Sequence, residues 1–146
     1  MNEVRQKKEF FNKKARHDYE ISDTLEAGIV LTGSEIKVIR QGRIDISTSY
    51  VKILNAELFW LGASFNMELG DRQRTKKLLV HQSELKHLLG KTQEKGMTII
   101  PLKLYIKRGK AKLEIGLGKG LKKYDVREKL KKRDQERDIA ERIKRA

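Results

Sequence analysis

Between Leu25 and Arg43 the hydrophobic period of the chain changes once and cleanly, and the other elements are read around that change. Before it, Tyr19, Ile21, Leu25, Ala27, Ile29 and Leu31 are apolar, with Glu20, Ser22, Thr24 and Glu26 between them, the alternation of a strand with one wet face. At Thr32 the pattern turns helical. Thr32 and Glu35 form a capping box, Ile36 and Ile39 recur at helical spacing, and Gly42 ends the run. A long strand thus feeds a helix of about two turns. Glu35, Lys37, Arg40 and Gln41 lie away from the Ile36/Ile39 stripe. Such a short, charged helix either plugs the end of a sheet or presents charge to a partner.

The rest of the chain reads as further strands with one more helix. Ile44, Ile46 and Tyr50 to Leu54 suggest a second strand, which turns at Asn55-Ala56-Glu57 into Leu58 to Leu61. Trp60, in that second arm, is expected in the core, with base stacking as the other use of an indole. From Gly62 to Arg74 the period is lost, which predicts a long loop leading through Arg74-Thr75-Lys76-Lys77 into a short strand at Leu78 to Val80. Leu85, Leu88 and Leu89 place a helix over His81 to Lys95, with Ser83 as its cap and Gly96 as its end. Ile100 to Ile106 and Ala111 to Leu117 alternate around Arg108-Gly109, a hairpin in which Pro101 must fall at an edge or bulge. Tyr105 shares the polar face of that hairpin with Lys103 and Lys107. That is the composition of a nucleic-acid platform or of an ordinary exposed strand. Gly116, Gly118 and Gly120 with Lys119 read as a flexible exit, and neither GxxxxGK nor GxGxxG occurs there to cradle a nucleotide.

Charge then narrows the function. The chain of 146 residues is 38% hydrophobic, enough for one core with extensions, and carries a net charge of +14. A surplus of that size points to a polyanion. A membrane is the weaker candidate, because no apolar run approaches the roughly 20 residues of a spanning helix. The first residues, MNEVRQKKEFFNKK, lack the apolar stretch of a signal peptide, which favours the cytoplasm. The chain has no cysteine, so disulfides and thiolate metal sites are excluded. His17, His81 and His87 lack paired-ligand spacing, and no serine sits in a nucleophile elbow, so catalysis has no visible machinery and no cofactor is implied.

Two segments concentrate the cations. Residues 1–17 hold six Lys and Arg against two Glu, and Asn12, Lys13, Lys14, Arg16 and His17 come immediately before the first strand. They are either a solvated terminus or phosphate contacts aimed by the sheet. From Lys119 to the end, twelve Lys and Arg face six Asp and Glu with few large apolar groups and no continuous stripe. That composition predicts residues 1–120 as a folded RNA-binding domain and 121–146 as a tail, disordered alone, that gains helix on a polyanion.

Ordered blocks along nearly the whole chain carry a resemblance. They are Asn12-Lys-Lys-Ala-Arg-His17, Glu26-Ala-Gly28, Gly33-Ser-Glu-Ile-Lys37, Arg40-x-Gly42-Arg43, Ser49-Tyr-Val51, Leu61-Gly-Ala63, Arg74-Thr-Lys-Lys-Leu-Leu79, Leu104-Tyr105, and Ala111-Lys-Leu-Glu-Ile-Gly116 with Lys119-Gly120. In these the chain resembles the SmpB family, which binds transfer-messenger RNA, while departing from the family pattern at Ser34, Ile106, Val126 and Gln135. The resemblance implies an oligonucleotide-binding (OB-fold) β-barrel with added short helices that holds the tRNA-like part of that RNA. Asn12, Lys13, Arg16 and Glu35 match contact positions, and Lys14, His17, Lys37, Arg40, Arg74, Lys76, Lys77 and Lys119 complete the expected RNA-binding set. The implied role is rescue of stalled ribosomes by trans-translation. Elongation factor Tu with GTP would act through the RNA, and the tail would enter the empty mRNA channel beside the decoding site of the small subunit. Its expected ribosome contacts are Lys122, Lys123, Tyr124, Asp125, Arg127, Lys129, Lys131, Lys132, Arg133 and Ile143. Two rivals stand beside this reading. One is a general RNA-binding or ribosomal protein of the same fold, and the other is a nuclease, which would need clustered carboxylates for a metal. At Glu35 the sequence leaves two roles. A capping residue would tolerate Gln with little change in melting temperature, whereas an RNA contact would lose affinity.

Overall fold

A computed structural model describes residues 9–121; the expected tail contacts from Lys122 to Ile143 lie outside them. The strand predicted from Tyr19 forms as β2 (Tyr19–Ile29), following a short strand β1 (Glu9–Phe11) and a single helical turn α1 (Ala15–Asp18). The alternation of β2 slips at Asp23, which sits at φ 38° in a bulge between Ser22 and Thr24. Aspartate tolerates that left-handed backbone better than most residues, and the bulge bends the strand around the barrel.

Helix α2 (Gly33–Gln41) begins and ends as its sequence dictates. The Thr32 hydroxyl accepts from the Glu35 amide, the Glu35 carboxylate accepts from the Thr32 amide, and Gly42 closes the helix at φ 76°. Its buried face differs from the expected Ile36/Ile39 stripe. Glu35, Val38 and Ile39 point inward, an i, i+3, i+4 set in which a carboxylate takes one apolar place.

The strand expected from Ile44 onward is two strands, β3 (Ile44–Asp45) and β4 (Tyr50–Leu54), separated where Ser49 bonds back to Ile46. β4 turns into β5 (Glu57–Leu61) through Asn55 and Ala56, both at positive φ as a two-residue hairpin requires. Part of the predicted loop from Gly62 to Arg74 is a strand, β6 (Ser64–Phe65), which pairs with β3; two-residue strands are too short to show a period. β7 (Lys76–Leu79) leads into α3 (Gln82–Thr92), where Glu84 accepts from the His81 amide, so the cap is His81 and not Ser83. β8 (Met97–Lys107) and β9 (Lys110–Gly120) make the expected hairpin, with Pro101 at a register shift.

These strands close on themselves in the order β8-β4-β5-β7-β2-β9, with β9 returning to β8 and β1 added alongside β8. The result is the expected mainly β barrel with short helices. Closure also corrects the reading of the glycines. Gly116 and Gly118 are not a loose exit but part of β9, where an added Cβ would lie 2.9 Å from Ile21 and 2.9 Å from Ile100, respectively. Only glycine lets the barrel wall approach so closely. Inside, Trp60 and Phe65 meet edge to face at 6.0 Å among Leu58, Leu78, Leu104, Leu113 and Ile115. The indole is fully buried, so base stacking by Trp60 is set aside.

Candidate nucleic-acid interface

Asn12 and Ala15 seat α1. The Asn12 amide donates to the Leu102 carbonyl and its Nδ2 to the Pro101 carbonyl, each at 2.9 Å, while Ala15 packs with Ile100, Leu102, Tyr19 and Ile21 in a small second core. Asn12 is thus a buried anchor. The turn between and after these two residues exposes Lys13, Lys14, Arg16 and His17, and the His17 ring meets Asp18 at 2.9 Å. The leader is therefore not simply a frayed terminus: from Glu9 on it is built into the sheet.

The barrel brings a distant cation to the same end. β2 and β9 run antiparallel, with Glu20 opposite Lys119 and Tyr19 opposite Gly120, so exposed Lys119 lies beside the start of β2. The Leu121 amide then donates to the Asp18 carbonyl at 3.0 Å. The chain therefore leaves the barrel next to α1, and whatever follows Leu121 starts from the edge of this basic surface.

The second group of expected contacts is organised differently. Lys37 and Arg40 stand exposed on α2, but Glu35 and Lys76 are each only 1% exposed. The Glu35 carboxylate accepts from Arg74 Nε at 3.0 Å and Nη2 at 2.6 Å, and lies 3.5 Å from Lys76 Nζ. Arg74 Nη2 also donates to the Val30 carbonyl, and Lys76 Nζ donates to the Arg74 carbonyl at 2.6 Å while sitting 3.9 Å from the Phe65 ring centroid. Burial works against the Glu35 charge, yet the Arg74 hydrogen bond, the Thr32 amide and Lys76 together hold its carboxyl below its ordinary range. Burial pushes the Lys76 ammonium down, against the pull of Glu35. Glu35 and Lys76 therefore have no surface to offer RNA. They fasten α2 to β7, and Arg74, partly exposed, is held by both. Lys77 points outward beside Glu57, at 3.5 Å.

The Tyr105 strip is also largely engaged within the protein. The Tyr105 hydroxyl donates to Glu26, Lys107 lies 3.6 Å from Glu26, and Lys103 sits over the Tyr105 ring at 4.9 Å and 3.9 Å from Glu9. Burial and then the Glu26 partnership push the phenol up, and the same hydrogen bond lowers the Glu26 carboxyl. Reading the sequence missed β1, whose three residues give no period, and with it Phe11, exposed beside Lys103. Among the described residues no group of His, Asp or Glu is placed to hold a metal, and no helix is long and apolar enough to cross a membrane.

A family model described as SmpB protein matches residues 10–145. The chain belongs to the SmpB family. It is 50% identical over 139 residues to the SsrA-binding protein of Shouchella clausii, covering 91% of this chain and 89% of that one. The SsrA-binding protein of Acetivibrio thermocellus is 47% identical over 139 residues, covering 91% and 90%. Among solved structures, a chain from the work "tmRNA-SmpB: a journey to the center of the bacterial ribosome" matches with a TM-score of 0.66 at 40% identity, covering 82% of this chain and 92% of that one. SmpB membership agrees with the barrel described above.

Proposed function

We propose that the chain binds the tRNA-like domain of transfer-messenger RNA and brings it to stalled ribosomes for trans-translation. One observation carries the reading furthest: α1, Lys119 and the root of the chain beyond Leu121 share one end of a rigid barrel. Lys13, Lys14, Arg16 and His17 then meet phosphates, with Lys119 beside them, and Lys37, Arg40, Arg74 and Lys77 extend the positive surface. Asn12, Glu35 and Lys76 act by holding those residues in place.

Residues 1–120 form the RNA-binding unit, and 121–146 act as a ribosome-contacting tail. Seven cations between Lys122 and Arg133 exceed what a barrel surface can neutralise, whereas a channel walled by ribosomal RNA neutralises them and releases counterions. The tail enters the mRNA channel only when that channel is empty, so selectivity for stalled ribosomes arises by exclusion. The RNA–protein unit stands in for codon pairing at the decoding site, and elongation factor Tu with GTP joins through the RNA. Peptide transfer is the ribosome's chemistry, so no catalytic residue is assigned here and the setting is cytoplasmic.

Sequencing RNA pulled down with the full chain and with a truncation after Gly120 tests this reading. Both forms should enrich a tRNA-like species, and only the full chain should stay on stalled ribosomes. Enrichment of ribosomal RNA alone would support a ribosomal protein of the same fold instead.

A further inference from the structure

The helices pack elsewhere on the barrel, α1 against β2 and β8, α2 against β6, and α3 against β8 and β9. Among the described residues, the main helix packing leaves the outer face of β4, β5 and β7 to its own side chains. On β4 these are Tyr50, Lys52 and Leu54, because Val51 and Ile53 point inward. The register places Phe59 of β5 between Lys52 of β4 and Lys77 of β7, and Tyr50 opposite Leu61. Tyr50 is 45% exposed, and Leu54 and Leu79 are each 53% exposed, an apolar surface that barrel closure does not explain.

The Tyr50 ring has two neighbours: Lys52 Nζ sits 5.7 Å from its centroid, and Gly62 is in ordinary contact, an added Cβ lying 3.5 Å from Cε1 of the ring. Tyr50 and Phe59 are diagonal neighbours across the strand pair, roughly 7–8 Å apart. That is wider than the roughly 3.4 Å between stacked bases in a duplex, so two bases on these rings would belong to an extended strand. Charge selects the occupant. On the outward side the three strands carry one carboxylate, Glu57, against Lys52 and Lys77, and the whole chain carries +14. At the Tyr105 strip, by contrast, Glu9 and Glu26 engage both cations and the phenol, whereas here Glu57 engages Lys77 alone and, among the described residues, Lys52 meets only the Tyr50 ring.

We propose that this face binds an unpaired RNA segment, with successive bases on Tyr50 and Phe59 and their phosphates at Lys52 and Lys77. The surface is separate from the α1 end, and the inference does not depend on which structured RNA that end holds. Stacking of this kind tolerates any base, because every base has a π face.

The test uses the full chain with ten-nucleotide oligoadenylate and oligouridylate, measuring affinity across a salt series and mapping photo-crosslinks by mass spectrometry. Tyr50→Leu and Phe59→Leu should each weaken binding roughly ten-fold by removing one stacked base, with an unchanged thermal melt for the more exposed Tyr50. Lys52→Gln, at an exposed position, should lower the log–log salt slope by about 0.7 even if a ring variant folds poorly. Crosslinks should fall on Tyr50 or Phe59. Crosslinks confined to other strands, or Lys52→Gln and Tyr50→Leu binding within about two-fold of the parent, would overturn the inference. So would a concentration-dependent dimer that Leu54→Ser disrupts while oligonucleotide binding is unaffected. A chain that binds the oligonucleotides but no tRNA-like RNA would overturn the proposed function and leave this face standing.

Discussion

The α1 end and the Glu35 network use similar residues for opposite purposes. At α1, an amide side chain and an alanine are buried so that Lys13, Lys14, Arg16 and His17 remain in water. At α2 and β7, the charges themselves are buried, with Glu35 and Lys76 at 1% exposure and Arg74 clamped between the carboxylate and the Val30 carbonyl. The first arrangement keeps charge at the surface. The second uses charge to fix one helix on one strand, and a buried pair of that kind is costly to break from one side.

The largest effect that would sharpen this contrast is at Glu35. Glu35→Gln keeps the capping geometry but leaves Lys76 buried without its counter-charge, so it should cost about 3–5 kcal/mol and lower Tm by on the order of ten degrees. A melting temperature equal to the parent's would return Glu35 to the simple capping role that the sequence allowed.

Acid should expose the same network. The folded-state pKa of Glu35 lies below its ordinary value of 4.5, so its stabilisation is fully present above that value and is lost as pH falls through the lowered pKa. Urea midpoints measured from neutral pH downward should fall steeply only below the ordinary carboxylate range, and the Glu35→Gln chain should lack that component. Parallel curves for the two chains would show that the carboxylate is not held down as described.

A smaller effect is expected at the anchor of α1. Asn12→Ala loses the bond to the Pro101 carbonyl, costing about 1–3 kcal/mol, and should also weaken binding of a tRNA-like RNA because Lys13 and Lys14 lose their frame. Reduced stability with intact RNA affinity would separate the anchor from the interface.

The smallest effect on folding is expected at Lys13 and Lys14. Changing either to Gln should leave the melt unaltered and lower the log–log salt slope for RNA by roughly 0.7–0.9 for each phosphate that is no longer neutralised. An unchanged slope would remove that lysine from the interface.

The sequence by itself determined the elements that are long enough to repeat a pattern. β2, α2 with its capping box, α3 and the β8–β9 hairpin were legible because burial on one face writes a period of two or 3.6 into the residues. β1, β6 and the break between β3 and β4 were not, because two or three residues contain no period and are held as strands only by a distant partner. The charge of +14 announced a polyanion without saying which cations meet it. Only the tertiary structure decided that. Closure of the barrel set Lys119 beside α1 across about a hundred residues, turned Gly116 and Gly118 from an exit into a close-packed wall, and carried Glu35 inward to Arg74 and Lys76. A charged side chain looks the same in sequence whether water or a buried counter-ion stabilises it, and the choice is made only when strands far apart in the chain are brought together.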